Sequence, residues 1–236
     1  MMRIISAVLA AVISFPVFGD NEIFINQVGA TANIDVEQLG SSNLVGGLDA
    51  VAGTMTPLDL DGITLTLDIN QIGSSNEFLG DILGDTIIGF FEFDGDSNIF
   101  KIQTDPTDTY GADGGNYNVN VSGSGNEFEL NVGTSALADT LDLDWIVSGD
   151  TNIFDVSINL ETATNYIDFD GDSNEIEYTG SGASGGYFYL DQTGNTRLFD
   201  ITQSSTLASD WLKIETSGNG GTVCVVQNDG GTSTSC

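Results

Sequence analysis

Two short segments of this chain carry oxygen side chains at alternate positions, Asp94-Gly95-Asp96-Ser97-Asn98 and Asp170-Gly171-Asp172-Ser173-Asn174. A calcium loop begins this way, because a hard divalent cation takes carboxylate and carbonyl oxygens. The rest of an EF-hand does not follow. Ile99 and Glu175 stand where its sixth-position glycine belongs, and Asp105 and Ser181 where its twelfth-position glutamate belongs. Asp94, Asp96, Asp170 and Asp172 are thus a candidate calcium set, to be weighed against acids at a solvated corner. Tyr187, Tyr189 and Trp211 are aromatic residues close in sequence that could form a sugar-stacking strip or cover an edge. The chain has no histidine. That removes the imidazole bases, the Ser–His–Asp and Cys–His nucleophiles and imidazole zinc sites. Carboxylate pairs are abundant, but beyond residue 19 the only cations to set beside a scissile sugar are Lys101, Arg197 and Lys213. The expectation is a protein that is not an enzyme.

The charge balance narrows the partners. The 236 residues hold 35 Asp and Glu against 4 Lys and Arg, a formal net charge of −31. So few cations cannot neutralise a row of phosphates, which argues against nucleic acid and anionic lipid as partners. Hydrophobic residues are nonetheless 40% of the chain, enough to build a core. Residues 1–19 resemble a secretory signal: Arg3 as the positive end, an apolar run from Ile4 to Ile13, Pro16, and Val17-Phe18-Gly19 as the cleavage site. That run is too short to span a bilayer, and no later stretch qualifies. Export places the chain in an oxidising compartment. A local disulfide between Cys224 and Cys236 is then expected, worth roughly 3 kcal/mol by chain entropy, with two free thiols as the alternative.

The elements that must position these groups are written as a repeat. A turn signal, Gly-x-x-Asn, occurs at Gly40–Asn43, Gly73–Asn76, Gly95–Asn98, Gly123–Asn126, Gly149–Asn152 and Gly171–Asn174, with degenerate copies at Gly194–Arg197 and Gly218–Gly221. From Gly73 to Gly218 the leading glycines advance by 22, 28, 26, 22, 23 and 24 residues, the length of one solenoid coil. Apolar residues alternate with polar ones on both sides of each turn, the pattern of half-buried strands. Asn98, Phe100 and Ile102 fall on one face; Lys101, Glu127, Glu129, Asp155, Glu175, Glu177 and Asp200 fall on the other. Coils stacked in phase would place an Asn column beside a Phe/Ile column, which predicts an all-β β-solenoid (β-helix) of about eight two-stranded coils over residues 20–236. Looped insertions are expected near 44–61, 103–116 and 133–140. An antiparallel sandwich is the competing architecture, but it does not require the same residue type to return at every turn.

At Glu37-Gln38-Leu39-Gly40-Ser41-Ser42-Asn43 and Asn70-Gln71-Ile72-Gly73-Ser74-Ser75-Asn76 the chain resembles the curlin repeat, whose pattern is Gln-x-Gly-x-x-Asn. The resemblance implies a β-solenoid subunit of an extracellular, amyloid-type surface fibre serving adhesion and biofilm. It implies inward glutamines at Gln38, Gln71 and Gln192, and inward turn asparagines at Asn43, Asn76, Asn98, Asn126, Asn152 and Asn174. Phe93, Val121, Val147 and Phe169 stand where the family has glutamine. The functional expectation is a secreted, cell-surface structural protein that self-associates end to end. Its alternatives are a solitary secreted or virion-associated module for a glycan or receptor, and a calcium-bridged surface-layer protein.

Overall fold

The computed structural model describes residues 22–46, 58–83, 86–104, 115–132, 141–159, 163–182, 186–205 and 210–229. The signal-like segment 1–19, Cys236 and residues 133–140 lie outside them. Every element in the described residues is a strand. None of them is a helix long and apolar enough to cross a membrane.

The strands stack in parallel as two sheets. The first holds β3 (Thr31–Leu39), β6 (Thr64–Ile72), β8 (Thr86–Asp94), β10 (Asn116–Ser122), β12 (Asp142–Ser148), β14 (Thr164–Asp170), β16 (Tyr187–Thr193) and β18 (Trp211–Ser217). The second, 11-stranded sheet holds β1 (Glu22–Phe24), β2 (Asn26–Val28), β4 (Leu44–Gly46), β5 (Leu58–Asp61), β7 (Glu77–Leu83), β9 (Ile99–Thr104), β11 (Glu127–Val132), β13 (Ile153–Asn159), β15 (Glu175–Gly182), β17 (Leu198–Ser205) and β19 (Thr222–Asp229). Each coil runs up one strand of the first sheet, turns at a glycine-led corner and returns along the second. The fold is a two-sheet β-solenoid with eight strands in its first sheet, hence seven full turns from the first to the last.

Identical positions stand in register because the corner returns at the same place in each coil. Phe78, Phe100, Phe128, Phe154, Ile176 and Phe199 form one inward column, all with no exposed surface. Facing it, Ile69, Phe91, Val119, Trp145, Ile167 and Leu190 form another. The rings lock edge to face across the core: Trp145 meets Phe154 at 5.2 Å and Phe154 meets Phe169 at 4.5 Å. Two polar pairs cross the same core, Tyr117 with Thr104 at 2.8 Å and Asn165 with the Tyr178 hydroxyl at 3.0 Å. These bonds give the two buried phenol hydroxyls a partner inside the core.

Strand pairing extends further than the expected insertions allow. Leu44–Gly46 and Leu58–Asp61, at the two ends of 44–61, both join the second sheet, because Val45 and Leu60 continue its inward apolar face and are fully buried. Gln103 and Thr104 likewise belong to β9, and Asn116 to β10. Residues 47–57 and 105–114 lie outside the described residues.

Phe154→Ala removes a ring in contact with Phe128, Trp145 and Phe169. It is expected to cost about 3–5 kcal/mol in urea unfolding, because the stacked neighbours cannot collapse into the cavity. A cost in the range of an exposed substitution, under about 0.5 kcal/mol, would show that this face is not the core.

Candidate functional site: the corner columns and the aromatic ladder

The corner begins with a glycine at φ between 123° and 149° from Gly40 to Gly218. A Cβ at Gly149 would run into the carbonyl of Gly123 one coil below; Gly73, Gly95, Gly123, Gly171, Gly194 and Gly218 stand on their predecessors in the same way. The third corner residue is left-handed throughout, with Ser42, Ser75, Ser97, Thr151, Ser173 and Thr196 at φ 55–62° and Gly125 at 69°. Left-handed backbone opposes the side chain of any L-residue, and short hydroxyl residues or glycine occupy the position.

After this residue the backbone N–H no longer meets a carbonyl of the next coil. The asparagine supplies the missing acceptor. The Asn76 N–H donates to Asn98 Oδ1 at 2.9 Å, Asn98 to Asn126 at 2.8 Å, Asn126 to Asn152 at 3.0 Å and Asn152 to Asn174 at 2.9 Å; Asn43 donates to Asn76 at 3.1 Å. The same amides donate back to the glycine that opens their own corner, as from Asn76 to Gly73 and from Asn98 to Gly95, each at 2.9 Å. All six asparagines are buried. The sequence placed them inward, and the structure brings them into one continuous ladder.

Arg197 ends that ladder. Its guanidinium takes over the amide's donor role, reaching the Gly194 carbonyl at 3.1 Å and Thr216 Oγ1 at 3.0 Å. It has no oxygen with which to accept from Asn174. The next coil carries Gly221 there, where any Cβ would collide with the Arg197 side chain.

The glutamine column is interrupted, as the sequence implies. Gln71 donates to Gln38 Oε1 at 2.7 Å, but Phe93, Val121, Val147 and Phe169 continue the position before Gln192, which donates to the Gly171 carbonyl at 3.3 Å. Gln38, Gln71 and Gln192 are all buried. A second buried site in the other sheet was not legible: Gln203 donates to the Gly186 carbonyl at 2.9 Å and accepts from Gln227 at 3.4 Å. The inward phase of β17, counted from Phe199, was its only signal.

The candidate calcium ligands act otherwise. Asp96 Oδ1 accepts from the Ser124 N–H at 2.7 Å, and Asp172 Oδ1 from the Asn195 N–H at 2.6 Å. They belong to a second corner column in which Asp150 N–H donates to Ser124 Oγ at 3.1 Å and Asp172 N–H to Asp150 Oδ1 at 2.6 Å. Asp94 accepts from the Ser122 hydroxyl at 2.5 Å. The pair Asp94 and Asp96 lies three coils from Asp170 and Asp172. Among the described residues no three Asp, Glu, Cys or His side chains converge as metal ligands. Corner acids therefore bond along the stack instead of pointing at a common ion.

The three sequence-selected aromatics share one outer face of the first sheet, and Tyr166 joins them. Tyr187 and Trp211 stack at 3.9 Å with planes 2° apart, and Tyr166 and Tyr189 stack at 5.1 Å and 27°. Lys213 Nζ lies 4.6 Å from the centre of the Tyr189 ring and pairs with Glu215 at 2.9 Å. Tyr189 Oη donates to Glu215 Oε2 at 2.5 Å. Both ring pairs join strands in register, so within each pair the rings turn faces to one another along the stack. Tyr166 was readable from its outward phase in Asn165-Tyr166-Ile167, the phase that Tyr189 has one coil later. Cys224 is disulfide-bonded, and the chain's only other cysteine is Cys236.

The outward carboxylates also fall into columns. Glu129, Asp155, Glu177 and Asp200 face their neighbours on four successive strands. Lys101 meets only the near end, at 3.0 Å from Glu127 and 3.3 Å from Glu129. Asp144, Asp155 and Asp168 are held above the ordinary carboxylate range. Partial desolvation is the main cause, and neighbouring acids add to it: Asp142 beside Asp144, Glu129 beside Asp155, and Asp191, Asp170 and Asp144 around Asp168. Glu215 shifts the other way through Tyr189 and Lys213.

Two outcomes follow from this geometry. Asn98→Ala orphans the Asn76 N–H and the Gly95 carbonyl, and is expected to cost about 1–3 kcal/mol in urea unfolding. The exposed Asn120→Ala should stay within about 0.5 kcal/mol, and equal effects would refute the ladder's role. A raised carboxylate pKa means that the folded chain binds protons more tightly than the unfolded one. The gain is complete below the unfolded value and is lost as pH rises through the folded value. The melting temperature is therefore expected to rise as pH falls from neutral toward about 4, and a steady fall over that range in a thermal scan would contradict it.

No protein-family model, no curated protein and no solved structure matches the chain.

Proposed function

We propose that the chain is an exported structural protein, a curlin-like subunit of an extracellular fibre or surface matrix that serves adhesion and has no reaction of its own. The observation that carries this reading is how the inward columns run out at the ends of the stack. Phe199 has no exposed surface, yet Val223 beside it in the last coil is 44% exposed. Leu212, Ile214 and Val225 are likewise only partly covered, as are Ile23, Ile25, Ala32 and Ile34 at the other end. A coil from a second copy would cover these residues as each coil covers the one before it. The carboxylate columns line the flanks, where like charges in register repel a side-by-side neighbour. Assembly is thereby directed along the stack, and a lateral contact calls for cations between the acids.

The test is electron microscopy of the secreted protein with and without calcium, alongside thioflavin binding. Unbranched, thioflavin-positive fibres in the absence of calcium are expected, with lateral bundling where calcium is added. A sharp monomer peak that persists for days at high concentration would defeat the reading.

A further inference from the structure

We infer that Tyr166 and Tyr189 form an oxidative cross-linking site, at which a one-electron oxidant joins the two rings as dityrosine and fastens β14 covalently to β16. The inference rests on the aromatic ladder alone and stands whether or not the protein forms fibres.

Four observations define the site. Tyr166 and Tyr189 are register partners on adjacent strands, so their backbones are held at strand spacing. Their rings are stacked at 5.1 Å, both on the outer face and only partly covered. Phenoxyl radicals couple through orbitals perpendicular to the ring plane, so a face-to-face pair is where bond formation starts. Tyr189 already donates its phenolic hydrogen to Glu215. This carboxylate can take the proton as the electron leaves, which avoids forming a protonated phenol radical. Finally, the two faces of Tyr189 are assigned: Tyr166 covers one, and the Lys213 ammonium approaches the ring from the following coil. Tyr187 is stacked on Trp211 instead, and Tyr117 and Tyr178 are buried in the core.

The step balances with hydrogen peroxide as oxidant and a haem peroxidase to deliver it in single electrons. Each phenol loses one electron and its hydroxyl proton. The two radicals form one carbon–carbon bond between positions ortho to the oxygens. Each of those carbons then passes its hydrogen, as a proton, to its own oxygen, and both rings become aromatic phenols again. Two electrons and two protons leave the protein and reduce one peroxide to two waters.

The test is to treat the dilute, folded full chain with peroxide and a haem peroxidase. The expected product is a monomer lighter by two hydrogen atoms, with dityrosine fluorescence and one linked peptide pair that holds Tyr166 and Tyr189. Tyr166→Phe should abolish it and Tyr187→Phe should leave it intact. Glu215→Gln should slow it by roughly two orders of magnitude while the chain still unfolds cooperatively in urea. The site is overturned by links at other tyrosines, by links only between chains, or by the same yield of the Tyr166–Tyr189 link from urea-denatured chain.

Discussion

A coil can follow another at strand spacing only if the chain turns at the same place each time, and the turn is where a backbone ladder fails. Strands pair their own amides and carbonyls; a tight corner leaves one N–H pointing past any carbonyl. In this protein the asparagine closes that gap, its oxygen accepting from the coil before and its nitrogen tying down its own corner glycine. The glycine is as necessary as the amide. It sits against the glycine carbonyl of the previous coil, at a positive φ and at an approach no side chain permits. Because these two requirements recur together, register follows, and the columns elsewhere in the molecule are its consequence.

Register acts without regard to residue type. It stacks phenylalanines over phenylalanines, where contact stabilises, and carboxylates over carboxylates, where contact repels. Lys101 relieves the near end of one acidic column, and Lys213 sits beside Glu215. Elsewhere the chain varies the column. In the position after each corner, Glu77, Glu127 and Glu175 alternate with Ile99, Ile153 and Leu198, so like charges on that column are separated by an aliphatic side chain. The second corner column mixes Ser124 with Asp96 and Asp150 to the same effect. At Asp144, Asp155 and Asp168 partial burial is the main reason the acids hold their protons more tightly, and neighbouring carboxylates add to it.

The aromatic face obeys the same geometry. Tyr187, Tyr189 and Trp211 viewed as isolated side chains suggest a surface on which a ligand could lie. In register they pair instead with one another and with Tyr166, ring face against ring face along the stack. A ladder of this kind contributes to holding successive coils together, and it brings two phenols into contact with each other.

Much of this architecture was legible in the sequence because a solenoid writes its fold as a period. The recurrence of Gly-x-x-Asn placed the corners, and alternation around it sorted Phe100 and Phe154 inward and Glu129 and Asp155 outward, since strand faces change with every residue. Other features depended on neighbours that a one-dimensional pattern does not contain. Asp96 and Asp172 look alike as calcium ligands or as corner acceptors, and only the coil next to each shows that it accepts a backbone N–H. Arg197 reads as a degenerate asparagine until the Gly194 carbonyl and Gly221 are seen around it. The strands at Leu44–Gly46 and Leu58–Asp61 lie within a stretch rich in turn residues, and form because an existing sheet edge offers them partners. The sequence by itself determined the repeat, the inward and outward faces and the sign of the surface, because each depends on residue type and local periodicity. Tertiary structure alone decided which side chains meet across coils, because contact at strand spacing joins residues that stand 22 to 33 positions apart in the chain.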